Sequence, residues 1–172
     1  MEELKVLIDE KTLQERIGEL AEKIMKDYEG KDITFICILK GSALFTVDLA
    51  KKIKNNVRLE FIRVSSYGDS TVSSGTVTMK LDLQDSIEGR DVIVIEDIID
   101  TGRTLSYLRD YLKDKKPGSL KICTLLDKKE RRQFDIEPDY TAFQIPDKFV
   151  VGYGLDDKEN YRNLPYVGYF DV

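Results

Sequence analysis

Apolar residues at Leu13, Ile17, Leu20, Ala21 and Ile24 recur at helical intervals and predict an amphipathic helix over 12–28. Thr12-Leu13-Gln14-Glu15 has capping-box spacing, which would start that helix at Thr12. The period then changes. Ile33–Leu39 is an almost continuous apolar run, as expected of a strand covered on both faces. Lys40-Gly41-Ser42 interrupts it, and Ala43, Leu44, Val47, Leu49 and Ala50 predict a helix to about Ile53. Strand, glycine turn and helix in that order make half of a βαβ unit.

Val57–Ser65 reads as another strand, followed by a polar, Ser- and Gly-rich stretch at Ser66–Ser74 that predicts a mobile loop. After the Glu88-Gly89-Arg90-Asp91 turn, Val92–Ile95 is the clearest buried strand in the chain. A helix is expected from Thr101 to Leu112, Pro117-Gly118 ends that unit, and Leu120–Leu126 is a further strand. From Tyr140 onward, short apolar runs broken by Pro146 and Pro165 predict irregular or β-rich structure. No repeat or linker divides the chain, so residues 1–172 are expected to form one α/β domain with a mainly parallel sheet flanked by helices. Such sheets bind ligands beyond the carboxyl ends of their strands.

Composition narrows the chemistry. The 27 basic and 32 acidic side chains leave a net charge of −5, which argues against a broad nucleic-acid surface. A bound phosphate must then be held by a few placed cations and by backbone amides. The absence of histidine removes the commonest general base and metal ligand, leaving Asp, Glu, Lys, Tyr or Cys for proton transfer. Cys37 and Cys123 each sit in apolar runs and read as core. The acidic opening MEELKVLIDE lacks the apolar centre of a signal peptide, and no run reaches the length of a membrane span. The expected location is the cytoplasm, with no membrane partner.

The chemistry concentrates in VIVIEDIIDTGRTL, residues 92–105, where an apolar strand runs into Glu96 and Asp97 and then into Asp100-Thr101-Gly102-Arg103-Thr104. Helix-start amides, a glycine that lets the backbone approach and two threonine hydroxyls make a cradle suited to a phosphate monoester. Arg103 could add a charge. The vicinal carboxylates would repel phosphate, but suit sugar hydroxyls or a hydrated magnesium ion. Sugar beside phosphate describes a ribose 5-phosphate.

This segment resembles the phosphoribosyl-pyrophosphate motif of the type I phosphoribosyltransferases. The resemblance implies a Rossmann-like parallel sheet with a small hood and a mobile flap. It places Glu96 and Asp97 at the ribose hydroxyls, residues 100–104 around the 5-phosphate, and Asp100 beside the purine imidazole as proton acceptor. Four further segments resemble the hypoxanthine-guanine branch. Lys40 and Gly41 match a pyrophosphate-binding loop whose Leu39–Lys40 peptide would be cis. Ser66 and Tyr67 match the start of the flap, whose closure would exclude water. Lys128 matches the lysine at the purine 6-oxo group, which adenine lacks, while Lys129, Arg131 and Arg132 read as a solvated basic stretch. In 145–168, Phe149 would stack on the purine and the Val150 backbone would read its edge. Asp156 would bind magnesium held with pyrophosphate, and Arg162 would hold the pyrophosphate itself. Asp157 departs from the pattern, since relatives usually carry an aromatic residue there.

The magnesium candidates are thus Glu96, Asp97 and Asp156. The implied activity is purine salvage: phosphoribosyl pyrophosphate and hypoxanthine or guanine would give IMP or GMP plus pyrophosphate. Alternatives on the same fold are a xanthine-preferring transferase and a non-catalytic nucleotide-binding transcription regulator. A homodimer or homotetramer is implied by resemblance only.

Overall fold

The structure, a computed structural model, describes residues 3–66 and 76–171, with the side chain of 66 excepted. In chain order the first elements are β1 (Leu4–Ile8), α1 (Glu10–Asp27), β2 (Ile33–Ile38), α2 (Ala43–Lys52), β3 (Val57–Ser66) and β4 (Val77–Leu81). They are followed by β5 (Asp91–Ile99), α3 (Arg103–Lys113), β6 (Ser119–Asp127), β7 (Tyr140–Gln144), β8 (Val150–Val151) and β9 (Val167–Phe170).

The continuous apolar runs become the centre of a six-stranded sheet with order β4-β3-β2-β5-β6-β7. Every residue of β2 is buried, because β3 and β5 flank it in parallel and helices cover both faces. Period-two alternation sorts its side chains between two cores. Phe35, Ile93 and Ile95 join Leu13, Ile17 and Phe45 on the side of α1 and α2. Ile36, Val92 and Val94 join Leu105, Leu108 and Leu112 on the side of α3. The antiparallel edge strand β4 was not expected from the sequence. Neither was β1, which pairs with β9 in a second, three-stranded sheet of order β1-β9-β8, the hood. Both are short, and β4 is amphipathic, so each depends on its partner strand for stability.

Three boundaries differ from expectation. α1 starts at Glu10, and its N-cap is Asp9, whose carboxylate accepts from the Thr12 amide at 2.7 Å. Thr12 is therefore the third helical residue and not the cap. β5 runs to Ile99, so Glu96 and Asp97 belong to the strand itself and point in defined directions. α3 begins at Arg103, with Gly102 at its N-cap making no side-chain cap hydrogen bond.

Four tyrosines hold their protons more tightly than an ordinary phenol. Burial carries Tyr28 from 10.0 to about 12. The hydrogen bond to Asp82 carries Tyr111 from 10.0 to about 12. Burial, with hydrogen bonds to Asp27 and Asp48, raises Tyr140 and Tyr153 further. Above pH 10 the unfolded chain releases phenolic protons that the folded chain keeps, so stability falls as pH rises. The urea midpoint is expected to drop steadily between about pH 10 and 12, and Tyr28→Phe to flatten part of that drop. A midpoint with the same pH response in both proteins would remove Tyr28 from this role.

Candidate active site

Parallel strands β2, β5 and β6 all end on one side of the sheet, and the loops after them meet there. The first loop contains a cis Leu39–Lys40 peptide, the geometry implied by resemblance. Gly41 then passes so close to β5 that a Cβ on it would lie 1.6 Å from Asp97 Oδ2. A third segment closes on the same point: a Cβ on Gly154, at φ 101°, would lie 2.1 Å from the Gly41 carbonyl oxygen. Only glycine fits at 154, where the obstacle is backbone, while a side chain at 41 would have to displace the Asp97 carboxylate.

Glu96 and Asp97 share a mostly buried corner. The Glu96 carboxylate accepts from the Asp97 amide at 2.9 Å, and the Asp97 carboxylate from the Ile98 amide at 2.6 Å. Burial, and then the adjacent Asp97 charge, pushes Glu96 well above the usual carboxylate range. Burial raises Asp97 as well, against the pull of its hydrogen bonds and the Arg162 charge. Both carboxyls therefore resist ionisation where they stand, and a cation or donor hydroxyls beside them would favour their charged forms. Among the described residues no three His, Cys, Asp or Glu side chains form a closed metal cage. Magnesium held by one or two carboxylates plus substrate oxygens needs none.

Residues 96–105 line a cavity of about 230 Å³ at the end of β5. Gly102, at φ 87°, packs so tightly that a Cβ would meet Ile136 Cγ2 at 2.6 Å. With no side-chain cap, the first-turn amides of α3 meet only a long 3.4 Å contact from Arg103 N to Thr101 Oγ1. They are available to an anion. Asp100 stands at the rim. Its Oδ1 is buried without a hydrogen-bond partner, although Arg131 Nε lies 2.6 Å away in an ion contact. That contact is Coulombic and not an aligned hydrogen bond, so Oδ1 has no hydrogen-bond donor.

Beyond the Gly41 loop lies a cluster of charges. Arg162 donates to the Gly154 carbonyl at 2.6 Å and pairs with Asp156 at 3.0 Å and Glu159 at 2.9 Å. Its Nε is buried and unpartnered. Lys40 Nζ reaches Glu159 at 2.8 Å. These two cations hold Glu159 down to about 2, the Lys40 hydrogen bond having the larger effect.

A phosphoribosyl transferase domain model matches residues 7–158. A hypoxanthine-guanine phosphoribosyltransferase of Streptococcus thermophilus is 51% identical over 95% of this chain and 91% of its own length. The chain belongs to the hypoxanthine-guanine branch of the type I phosphoribosyltransferases. A bifunctional TilS/HprT protein of Listeria monocytogenes is 54% identical over 95% of this chain, which spans about a quarter of that relative's length, 25%. A solved hypoxanthine-guanine phosphoribosyltransferase of Bacillus anthracis superposes with a TM-score of 0.92 at 50% identity, covering 97% of this chain and 99% of that one.

The motif thus lines one cavity, and Gly41 packs against its Asp97, with Lys40, Asp156 and Arg162 in the charge cluster beyond. Lys128 begins the turn after β6, beside the motif, its amide bonded to the Ile99 carbonyl at 2.9 Å. Val150 is buried in β8, while Phe149 is 54% exposed, with its ring free to meet a flat ligand. Tyr67 lies outside the described residues, as does the flap, and of Ser66 only the backbone in β3 is described.

The solvated reading holds for Lys129 and, by exposure, for Arg131, but not for Arg132. Arg131 pairs with Asp100 and with Asp147 at 3.3 Å. Arg132 is buried. It donates to Asp127 at 2.6 Å and to the Asp100 carbonyl at 2.9 Å, tying β6 to the phosphate loop. Sequence reasoning missed Asp127, Arg131, Arg132, Asp147 and Glu159. Of these only Asp127, a carboxylate closing an apolar strand, carried a visible signal.

Proposed function

We propose that this chain transfers the 5-phosphoribosyl group from phosphoribosyl pyrophosphate to N9 of hypoxanthine or guanine, releasing pyrophosphate. The observation that carries the reading is one cavity lined by the Glu96-Asp97 pair and the 100–104 cradle, with the Gly41 loop packed against Asp97 and Lys128 alongside. Family membership supports the reaction class; the residue roles rest on this geometry and on the resemblance.

The 5-phosphate sits on the helix-start amides with Thr101 and Thr104, while Glu96 and Asp97 take the ribose hydroxyls. Asp156 and the Glu96-Asp97 corner would hold magnesium, which when bound would supply charge neutralisation for the leaving pyrophosphate. Arg162, Lys40 and the amides around Gly41 add fixed positive charge and donors there. Phe149 stacks on the purine, the Val150 backbone reads its edge, and Lys128 donates to the 6-oxo oxygen. Holding both reactants in line provides much of the acceleration. As the purine attacks the anomeric carbon, Asp100 accepts the imidazole proton on its carboxylate. The cytoplasm is the proposed location, and a homo-oligomer the proposed assembly; among the described residues no helix is long and apolar enough to cross a membrane.

Product formation from phosphoribosyl pyrophosphate and magnesium, with single bases supplied, tests the reading. Hypoxanthine and guanine are expected to give nucleotide, adenine and uracil none, and excess chelator is expected to stop the reaction. Xanthine turned over faster than both would favour the xanthine-preferring alternative. No product from any base, with nucleotide still bound, would favour a regulator.

A further inference from the structure

A chain of four charges crosses the purine end of the site, and two of its members enter no step above. Arg131 Nε lies 2.6 Å from Asp100 Oδ1, and its NH1 lies 3.3 Å from Asp147 Oδ2. Asp147 Oδ1 in turn lies 3.4 Å from Lys128 Nζ. Asp100 and Lys128 are the two groups assigned to the imidazole and the 6-oxo edge. Arg131 and Asp147 therefore join the two groups between which a purine would lie.

We propose that Arg131 competes with the purine base for Asp100, so that this side chain sets base affinity. Asp147 holds the guanidinium in place and at the same time draws Lys128 toward itself. The inference rests on the proposed activity.

Three observations make the contact displaceable. Arg131 sits on the short turn Lys129–Arg131 and is about half exposed, at 45%, so its side chain has somewhere to go. The contact to Oδ1 lacks hydrogen-bond alignment and leaves that oxygen without a donor. Arg131 is anchored to solvent-reached groups only, whereas the neighbouring Arg132 is locked by Asp127 and the Asp100 carbonyl. An incoming N–H toward Oδ1 would meet a guanidinium where it needs open space. It must push Arg131 aside, and the lost ion contacts subtract from base binding.

Arg131→Gln keeps most of the side chain's size and removes its charge. At saturating phosphoribosyl pyrophosphate and magnesium, its KM for hypoxanthine is expected to fall by about two- to fivefold, the scale of exposed ion pairs, with a smaller change in kcat. Salt provides a second readout. Hypoxanthine is neutral, so screening acts on the ion-pair chain and not on the ligand's charge. The wild-type KM is expected to decrease as salt rises, Arg131→Lys to respond likewise, and Arg131→Gln to be flat. A KM that is unchanged in Arg131→Gln overturns the competition. A raised KM also overturns it, by making Arg131 a purine ligand. Calorimetric binding of hypoxanthine in the presence of magnesium pyrophosphate repeats the comparison without turnover, so failure of the activity and failure of the competition are told apart.

Discussion

Asp100→Asn is expected to bind phosphoribosyl pyrophosphate as the wild type does, yet to lose about 10²–10⁴-fold in kcat for IMP formation. The amide matches the carboxylate in size, so the cradle behind it should persist. That cradle is held by main-chain contacts: Gln133 and Phe134 amides donate to the Thr101 carbonyl, and Arg132 to the Asp100 carbonyl. What changes is the carboxylate, whose Oδ1 has no hydrogen-bond donor and can take a proton, against an amide that cannot. With no histidine in the chain, the commonest substitute base is lacking. Equilibrium binding of phosphoribosyl pyrophosphate beside steady-state turnover separates the two effects. Full turnover would take Asp100 out of the proton-accepting role; lost binding would make it part of the cradle instead.

Asp127→Ala is expected to be the most damaging single change to the fold around the site, at about 3–5 kcal/mol. Asp127 and Arg132 are 3% and 10% exposed, and each is the other's main charge partner. Glu137 offers Arg132 only a longer contact of 3.7 Å. Removing the carboxylate leaves a cation in a place built for a pair. That cost is a large part of the whole stability of an ordinary domain. The damage should reach function too, because Arg132 ties the Asp100 carbonyl to the end of β6, from which Lys128 projects. The urea midpoint of Asp127→Ala, compared with that of Asp127→Ala/Arg132→Met, measures it. The double variant should recover much of the loss, since an apolar replacement removes the uncompensated charge as well. Equal midpoints for wild type and Asp127→Ala would show that the pair adds nothing.

The parts of the site that are contiguous in the chain could be read from it. Residues 92–105 show their strand, their two carboxylates and their cradle in one window, and backbone geometry over so short a span depends on local chemistry. The buried runs of β2, β5 and β6 were likewise plain, because a strand covered on both faces must be apolar throughout. The amphipathic face of α1 was legible even though its cap was placed three residues late, since the burial period outlasts any error at the end.

Composition and pattern by themselves thus determined an α/β sheet, the order of its main elements and the segment that would hold a ribose phosphate. Tertiary structure alone decided the rest. It set Gly41 against Asp97 and Gly154 against Gly41, contacts between residues that share no window. It paired β1 with β9 across the whole length of the chain. It also separated Arg131 from Arg132, two neighbours of identical chemistry, leaving one exposed over Asp100 and burying the other against Asp127. The physical reason is common to all three. A charge, a glycine or an edge strand takes its role from what packs against it, and that is fixed by distant segments meeting, not by neighbours in sequence.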